Sequence, residues 1–446
     1  MNGSRIAPWL TESRWPTVPI RLVARLGSGH TPSRSKPEYW TDCTAPWITL
    51  ADVWQLRSGQ RNAITETKEK ISPLGLANSS AVLHPPGTVI LSRTASVGFS
   101  AIMGTEMATS QDFATWTCGP RLEPRYLLHA LRGMAPDLRR IATGSTHKTI
   151  YMPDIEQLRI PLPSMEEQCR IADYLDAEAA RIDHLAILRQ RQASVLEERY
   201  ASAVSELTTP DITSGQVRSE TWPWLPQSVA TARLGYMARV QTGVTVHGGR
   251  EPGADDAEFP YLRVANVQGE WVDLTEIKTI TIPRDMARRS FLHRGDIVMT
   301  EANGNPDNLG RGAVWNGEIA NMVHQNHVFA IRVDRNKLIP EYLSALLASN
   351  HGRRYFRFTS NQVGIATTSS SKVLAFPVPL LDPSQQATVV TEYQKLRTTI
   401  MRTRSALTRQ LGVLAERRQA LITAAVTGQF DVSTASGRNV TDGVPT

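Results

Sequence analysis

The sequence predicts a mixed α+β protein with an internal pseudo-twofold repeat: two α/β globular domains joined by a long antiparallel two-helix coiled coil. Three observations predict it. Residues 164–209 carry helical periodicity with no Gly or Pro. A second periodic stretch near the C-terminus superposes on the first at a constant offset. The segments preceding the two stretches also repeat, element by element.

The first long helix is read from Pro161 to Leu207. Ser164 is placed to cap it, and Glu166 and Glu167 in the first turn complement the helix dipole. Small and apolar residues then recur at steps of three and four, at Ala172, Leu175, Ala179, Ile182, Ala186, Ala193, Leu196 and Ala203. Arg189 and Tyr200 interrupt this seam. At 1.5 Å per residue such a helix spans roughly 60 Å, and it cannot bury its stripe alone. The partner is in the same chain: Tyr393, Ile400, Leu407, Leu414 and Leu421 recur every seven residues. Shifted by 218 positions, they fall on Leu175, Ile182, Arg189, Leu196 and Ala203, while Gln386 falls on Gln168. The predicted helix-pair interface is therefore Leu175, Ile182 and Leu196 against Tyr393, Ile400, Leu407, Leu414 and Leu421.

The globular segments repeat in the same way. In residues 1–160, Pro46–Leu50, Thr88–Ser92 and Gln111–Trp116 read as strands, and Pro124–Leu131 as helix. In residues 210–378, Arg239–Gly243 lies 214 positions after Arg25–Gly29, Pro260–Val267 lies 214 after Pro46–Val53, and Gln325 lies 214 after Gln111. Pro340-Glu341-Tyr342-Leu343 answers Pro124-Arg125-Tyr126-Leu127. The organisation is thus a globule (1–160), a helix (161–209), a globule (210–378), a helix (379–430) and a polar tail (431–446) expected to be disordered. Residues 208–220 read as a polar connection.

A chain of 446 residues is long enough for sizeable cores. Its net charge of +7 suits nucleic acid or an acidic surface. Cys43, Cys118 and Cys169 are too few and too scattered for a disulfide framework or a zinc site, which fits a reducing cytoplasm. No signal-peptide pattern and no membrane span is expected.

No catalytic set emerges. There is no phosphate-binding G-x-x-x-x-G-K-[ST] loop, and no aromatic residue follows Asn305-Pro306-Asp307 to stack a flipped base. His324 and His327 lack a third ligand nearby. No metal or cofactor is assigned to the chain. The remaining candidates are polar and basic loop residues, since Arg and Lys neutralise phosphates and Arg, Asn and Gln reach base edges. In the first globule these are His30, Arg34, Lys36, Arg57, Arg61, His147 and Lys148. In the second they are Gln241, His247, Arg250, Arg263, Asn266, Asn303, Asn361 and Gln362, with Arg353, Arg354 and Arg357 of a run that alternates basic and aromatic residues. For any one of them the competing reading is an ordinary solvated surface residue.

Gly29-His30-Thr31-Pro32, followed by Trp47-Ile48-Thr49 and Asp52-Val53, resembles the start of a target-recognition domain. Pro161-Leu162-Pro163, Glu167-Gln168, Ile171, Leu175-Asp176 and Arg181-Ile182-Asp183 resemble the central conserved region of type I restriction-modification specificity subunits. Glu416–Ile422 and Val426-Thr427-Gly428 resemble that family's C-terminal signature. The resemblance covers residues 15–430. The second helix departs from it with Gln385-Gln386 in place of Glu-Gln, and the second globule keeps Gly243 and Thr245 but lacks the Gly-His-Thr-Pro sequence.

The resemblance implies a non-catalytic subunit that reads double-stranded DNA. Each globule would read one half of a split, asymmetric target in the major groove. The helix pair would act as a ruler, with half-sites about one DNA turn, roughly 34 Å, apart. It implies two modification subunits using S-adenosylmethionine and two restriction subunits using ATP and Mg2+, with the helix pair docking the former. It carries DNA contact over to His30, Thr31 and Lys148, and to Thr242 and Thr245. Three other readings stay open from sequence: a coiled-coil scaffold with two ligand-binding globules, the recognition part of a fused methyltransferase-nuclease, whose catalytic motifs are absent here, and a solitary specificity protein that borrows its modification subunits.

Overall fold

Two helices of 44 and 45 residues, Met165–Thr208 and Pro383–Thr427, organise the computed structural model. The structure describes residues 7–57, 59, 61–144, 148–209, 217–245, 253–306, 309–361, 365–429 and 431–432. The expected disorder of 431–446 concerns residues almost all outside this range, and most of the 208–220 connection also lies outside it. The chain divides into two compact units, residues 1–190 with 408–446, and residues 191–407.

The first unit is built on a five-stranded sheet in the order Ala24–Ser28, Phe113–Cys118, Val89–Ser92, Ser100–Met103, Ala63–Ile64. A smaller sheet holds Ala45–Ile48 between Glu69–Ile71 and Ala108–Thr109. Ala45–Ile48, Val89–Ser92 and Phe113–Cys118 match strands read from sequence to within about two residues, whereas Ala63–Ile64, Glu69–Ile71, Ser100–Met103 and Ala108–Thr109 are not marked there. The helix Pro124–Ile141 covers the large sheet, and its buried Tyr126, Leu127, Leu131 and Met134 join Ile171 and Leu175 of the first long helix in one core. Ile422, Ala425 and Val426 of the second long helix complete that core.

The second unit repeats the frame. Its four-stranded sheet runs Ala238–Thr242, Val328–Val333, Ile297–Thr300, Gly312–Val314, beside a three-stranded sheet centred on Asp256–Leu262. A short antiparallel pair closes each unit at the base of its long helix: Val18 opposite Ile160, and Ala232 opposite Val378. Within each unit the helix partners run antiparallel. Ile182 packs with Leu414 and Leu421 in the first unit. In the second, Leu196 and Tyr200 pack with Tyr393, Leu396 and Ile400. Leu407 is buried as well, and Leu175 serves both the helix contact and the globular core. Tyr200, which reads as an interruption of the seam, is instead a buried member of it: its hydroxyl and that of Tyr393 both donate to Glu270 Oε1, at 2.6 and 2.5 Å.

One attachment is made twice with the same atoms. The side-chain amide of Gln168 is fully buried. It accepts from the Glu123 N–H at 2.9 Å and donates to the Arg121 and Pro163 carbonyls, both at 3.0 Å. Gln386 does likewise, accepting from the Ile339 N–H at 2.9 Å and donating to the carbonyls of Lys337 at 3.0 Å and Leu381 at 2.9 Å. Tyr126 then points its hydroxyl between the carbonyls of Pro161 and Val426, at 2.9 and 3.2 Å. Its counterpart Tyr342 lies between those of Pro379 and Thr208, at 3.4 and 3.3 Å. Each globule is therefore tied to the start of one long helix and the end of the other. The helix starts are capped as expected, the Glu167 N–H donating to Ser164 Oγ at 3.2 Å, with Asp382 doing the same work for the second helix.

Replacing Gln168 with Met should destabilise the first unit by about 3 kcal/mol, because three backbone groups at a buried side chain lose their partner. Glu166→Gln on the exposed first turn should change stability by less than about 0.5 kcal/mol. Urea unfolding of the two variants checks this. A second expectation concerns His351, which accepts at Nδ1 from Trp224 Nε1–H (2.9 Å) and donates from Nε2 to the Pro377 carbonyl (2.7 Å). Burial lowers its pKa from 6.5 to about 4. The folded form therefore holds it neutral. Its contribution is whole above pH 6.5 and is lost as pH falls toward 4, where the unfolded chain takes up the proton first. The difference amounts to about 3 kcal/mol. The loss of urea midpoint between pH 7.5 and 4.5 should be smaller in His351→Gln than in the wild type.

Candidate nucleic-acid interface

In both units the candidate loops leave the first strand of the large sheet through a glycine that only glycine can occupy. A Cβ on Gly29 would sit 1.9 Å from the Thr109 carbonyl oxygen, and one on Gly243 would sit 2.0 Å from that of His324. This close approach pins the loop start against the neighbouring strand connection. In the first unit it brings four segments together. The His30 N–H donates to the Thr109 carbonyl at 3.0 Å, and Thr31 Oγ1–H donates to Gln111 Oε1 at 2.6 Å. Arg93 Nε–H donates to the Gln111 carbonyl at 2.9 Å, and the Ala95 N–H donates to that of Lys148 at 2.8 Å. His30, Thr31 and Lys148 are thus joined to one another through Gln111, Arg93 and the turn that follows it.

Arg34 and Lys36, farther along the same loop, are exposed but engaged. Arg34 pairs with Glu69 at 2.7 Å and lies over Trp40, 3.8 Å from the ring centroid. Lys36 Nζ donates to the Tyr39 hydroxyl at 3.1 Å. Arg61 donates to Gln55 at 2.8 Å. His147 lies outside the described residues.

In the second unit Thr242 and Thr245 are exposed on either side of Gly243, and Gln241 Nε2 donates to the Arg289 carbonyl. The Val244 N–H donates to the His324 carbonyl at 2.7 Å, and the next connection carries Gln325 and His327. Gln325 Oε1 accepts from the Val264 N–H at 3.2 Å, and His327 Nδ1 pairs with Glu301 at 2.7 Å. Asn303 and Asn361 flank a small strand pair of this unit, Ala302–Asn303 with Ala366–Thr367. The polar groups at this end are therefore Thr245, Gln325, His327, Glu301, Asn303 and Asn361. His247, Arg250 and Gln362 lie outside the described residues.

Two readings from sequence are corrected here. Asn266 is not a base reader: it is 4 % exposed, and its amide is spent within the fold. Its oxygen accepts from the Arg263 N–H at 3.0 Å and its nitrogen donates to the carbonyls of Asp273 (2.9 Å) and Glu276 (3.0 Å). Arg263 itself is half-buried and reaches Glu276 at 3.4 Å. The basic-aromatic run also divides differently. On the helix Asn350–Thr359 the aromatics Tyr355 and Phe356 turn inward, with ring centroids 5.1 and 5.8 Å from Phe376, so they cannot stack on bases. Arg354 and Arg357 stay exposed and Arg353 is half-buried. Arg354 lines a cleft with Ser205 and Trp224, which contains none of Gln241, Thr242, Thr245 or Arg263.

Sequence reasoning did not single out Gln111, Gln325, Glu301 or Arg93 as site residues. Gln111 and Gln325 were nevertheless visible as matched landmarks of the repeat. His324 is buried with Nδ1 against the Val328 carbonyl at 2.7 Å, and among the described residues no three His, Cys, Asp or Glu side chains are placed to hold a metal ion. No helix among the described residues is long and apolar enough to cross a membrane.

Residues 12–192 match the model of the type I restriction modification DNA specificity domain. The chain is 26% identical over 262 residues to the type I restriction enzyme MjaIX specificity subunit of Methanocaldococcus jannaschii, covering 57% of this chain and 58% of that one. It is 24% identical over 406 residues to the type I restriction enzyme EcoKI specificity subunit of Escherichia coli K12, covering 86% and 82%. The chain thus spans a little over half of the first relative's length and about four fifths of the second's. A solved structure from work on complex assembly and conformational transition of the type I R-M system shares the fold, with a TM-score of 0.66 at 16% identity over 93% of this chain and 98% of that one.

Asn266→Ala should cost the second unit about 2 kcal/mol, the price of orphaned buried backbone groups. Thr245→Ala, on an exposed loop, should stay within about 0.5 kcal/mol. Urea unfolding separates a structural residue from a surface one.

Proposed function

We propose that this chain, a member of the type I restriction-modification specificity-subunit family, is the DNA-recognition subunit of such an enzyme, with each globular unit reading one half of a bipartite, asymmetric target. The observation that carries the reading is a constant frame with variable tips. The Gln168 and Gln386 attachments and the Gly29 and Gly243 loop starts are the same in both units. The side chains they present differ, Thr31 with Gln111 in one and Thr245 with Gln325 and the His327–Glu301 pair in the other. Two equivalent scaffolds with different polar tips suit two different short sequences. Amide, hydroxyl and imidazole groups read base edges, and a chain of net charge +7 gains from the phosphates.

The helix pair sets the distance between the half-sites and docks two modification subunits. Those partners supply the S-adenosylmethionine chemistry, and two restriction subunits supply the ATP- and Mg2+-dependent steps. This chain contributes positioning and no catalytic residue, and the complex works in the cytoplasm.

Adenine methylation mapped genome-wide by single-molecule sequencing, with and without this gene and with the modification subunit supplied, should reveal one new motif of two short blocks around a fixed gap. Deleting one heptad from both helices should change the gap or abolish methylation. A soluble complex with the modification subunit that adds no methylated motif would refute the reading.

A further inference from the structure

Within the first unit, a cavity of about 420 Å³ opens between the globular fold and the two long helices. Phe99, Ile182 and Leu414 form part of its apolar wall. Its charged lining is one-sided: four arginines, Arg57, Arg132, Arg139 and Arg418, face a single carboxylate, Asp183. The two inner arginines are held in place from behind. Arg132 donates to Asn62 Oδ1 at 2.6 Å and to the Arg61 carbonyl at 2.7 Å. Arg418 donates to the Gly59 carbonyl at 2.6 Å and lies 3.5 Å from Asp183. Arg418 Nε is buried and has no hydrogen-bond partner. Burial, reinforced by the neighbouring Arg418, lowers the Arg132 pKa to about 10. Asp176 acts on Arg132 beside Asp183, and the four arginines still outnumber these two carboxylates.

The internal repeat carries other residues at these positions. At the offsets that superpose the long helices and the helices beginning at Pro124 and Pro340, Arg418 corresponds to Tyr200, Asp183 to Met401 and Arg132 to Ala348. The second unit closes the equivalent junction with Tyr200, Tyr393 and Glu270 instead. The second unit's junction also holds an arginine, Arg397, which donates to the Glu270 carbonyl at 2.6 Å. At the positions of the half-buried Arg132 and Arg418, however, it carries Ala348 and Tyr200. Grouping guanidinium charges away from water is costly, and a bound anion offsets that cost.

We propose that this cavity is a phosphate-binding site. Guanidinium groups match phosphate oxygens in charge and in fork geometry. The outer arginines, Arg57 and Arg139, are exposed and supply the entrance. The phosphate comes either from a small molecule, as inorganic phosphate or a nucleotide, or from the DNA backbone.

The test uses the full chain and two substitutions. Arg418→Tyr installs the residue that the repeat already carries, and Arg139→Gln changes only the exposed entrance. Calorimetric titration with inorganic phosphate and with AMP, using adenosine as the phosphate-free control, reads the small-molecule source. The salt dependence of binding to a DNA duplex reads the backbone source. Saturable binding of phosphate or AMP but not adenosine, weakened roughly tenfold by either substitution, establishes a small-molecule site. No such binding, with a salt slope lowered by about one in each variant, establishes a backbone contact. Wild-type chain that binds neither phosphate nor AMP and whose variants keep the wild-type slope overturns the proposal, as does phosphate binding indifferent to both substitutions. If Arg418→Tyr does not fold by circular dichroism, Arg139→Gln decides. Phosphate binding by a chain that does not bind DNA would sink the recognition reading and leave this one standing.

Discussion

A side-chain amide buried where a globule meets a helix is the contact on which each unit depends. Gln168 and Gln386, both buried, each bond one backbone N–H and two backbone carbonyls. Only an amide offers both a donor pair and an acceptor at that reach: a carboxylate could not donate, and an aliphatic side chain could do neither. Orphaning such groups is expensive, so the segment before the Pro124 or Pro340 helix is locked to the first turn of the adjoining long helix. Tyr126 and Tyr342 extend the lock to the end of the other long helix. The loops proposed to read DNA start from this base.

From that base the two units diverge where divergence is useful. The strand edges, glycine turns and helix seams are shared, and the polar side chains at the loop ends are not. The junctions between globule and helix pair differ too, with Arg132 and Arg418 in the first unit and Tyr200, Tyr393 and Arg397 around Glu270 in the second. Such substitution within a preserved frame is what two recognition surfaces descended from one unit require.

Several local patterns changed meaning once distant residues were in place. Alternating basic and aromatic residues at 353–357 look like a stacking surface, but on a helix beside Phe376 the aromatic side becomes core. Asn266 looks like a loop amide free to read a base, until Asp273, Glu276 and Arg263 close around it. Tyr200 breaks an apolar pattern yet belongs in the seam, because Glu270 accepts its hydroxyl hydrogen bond.

The sequence by itself determined the long helices, the repeat and its register, and the approximate place of several strands. These follow from spacing along the chain: heptad patterns, and landmarks recurring at nearly the same offset, are visible without any partner present. Tertiary structure alone decided which polar groups remain available for recognition. Thr31 meets Gln111, Glu301 meets His327, and Arg418 meets Gly59 across 80, 26 and 359 positions. Whether a polar side chain faces solvent or is consumed by the fold depends on those long-range neighbours, and no local periodicity records them.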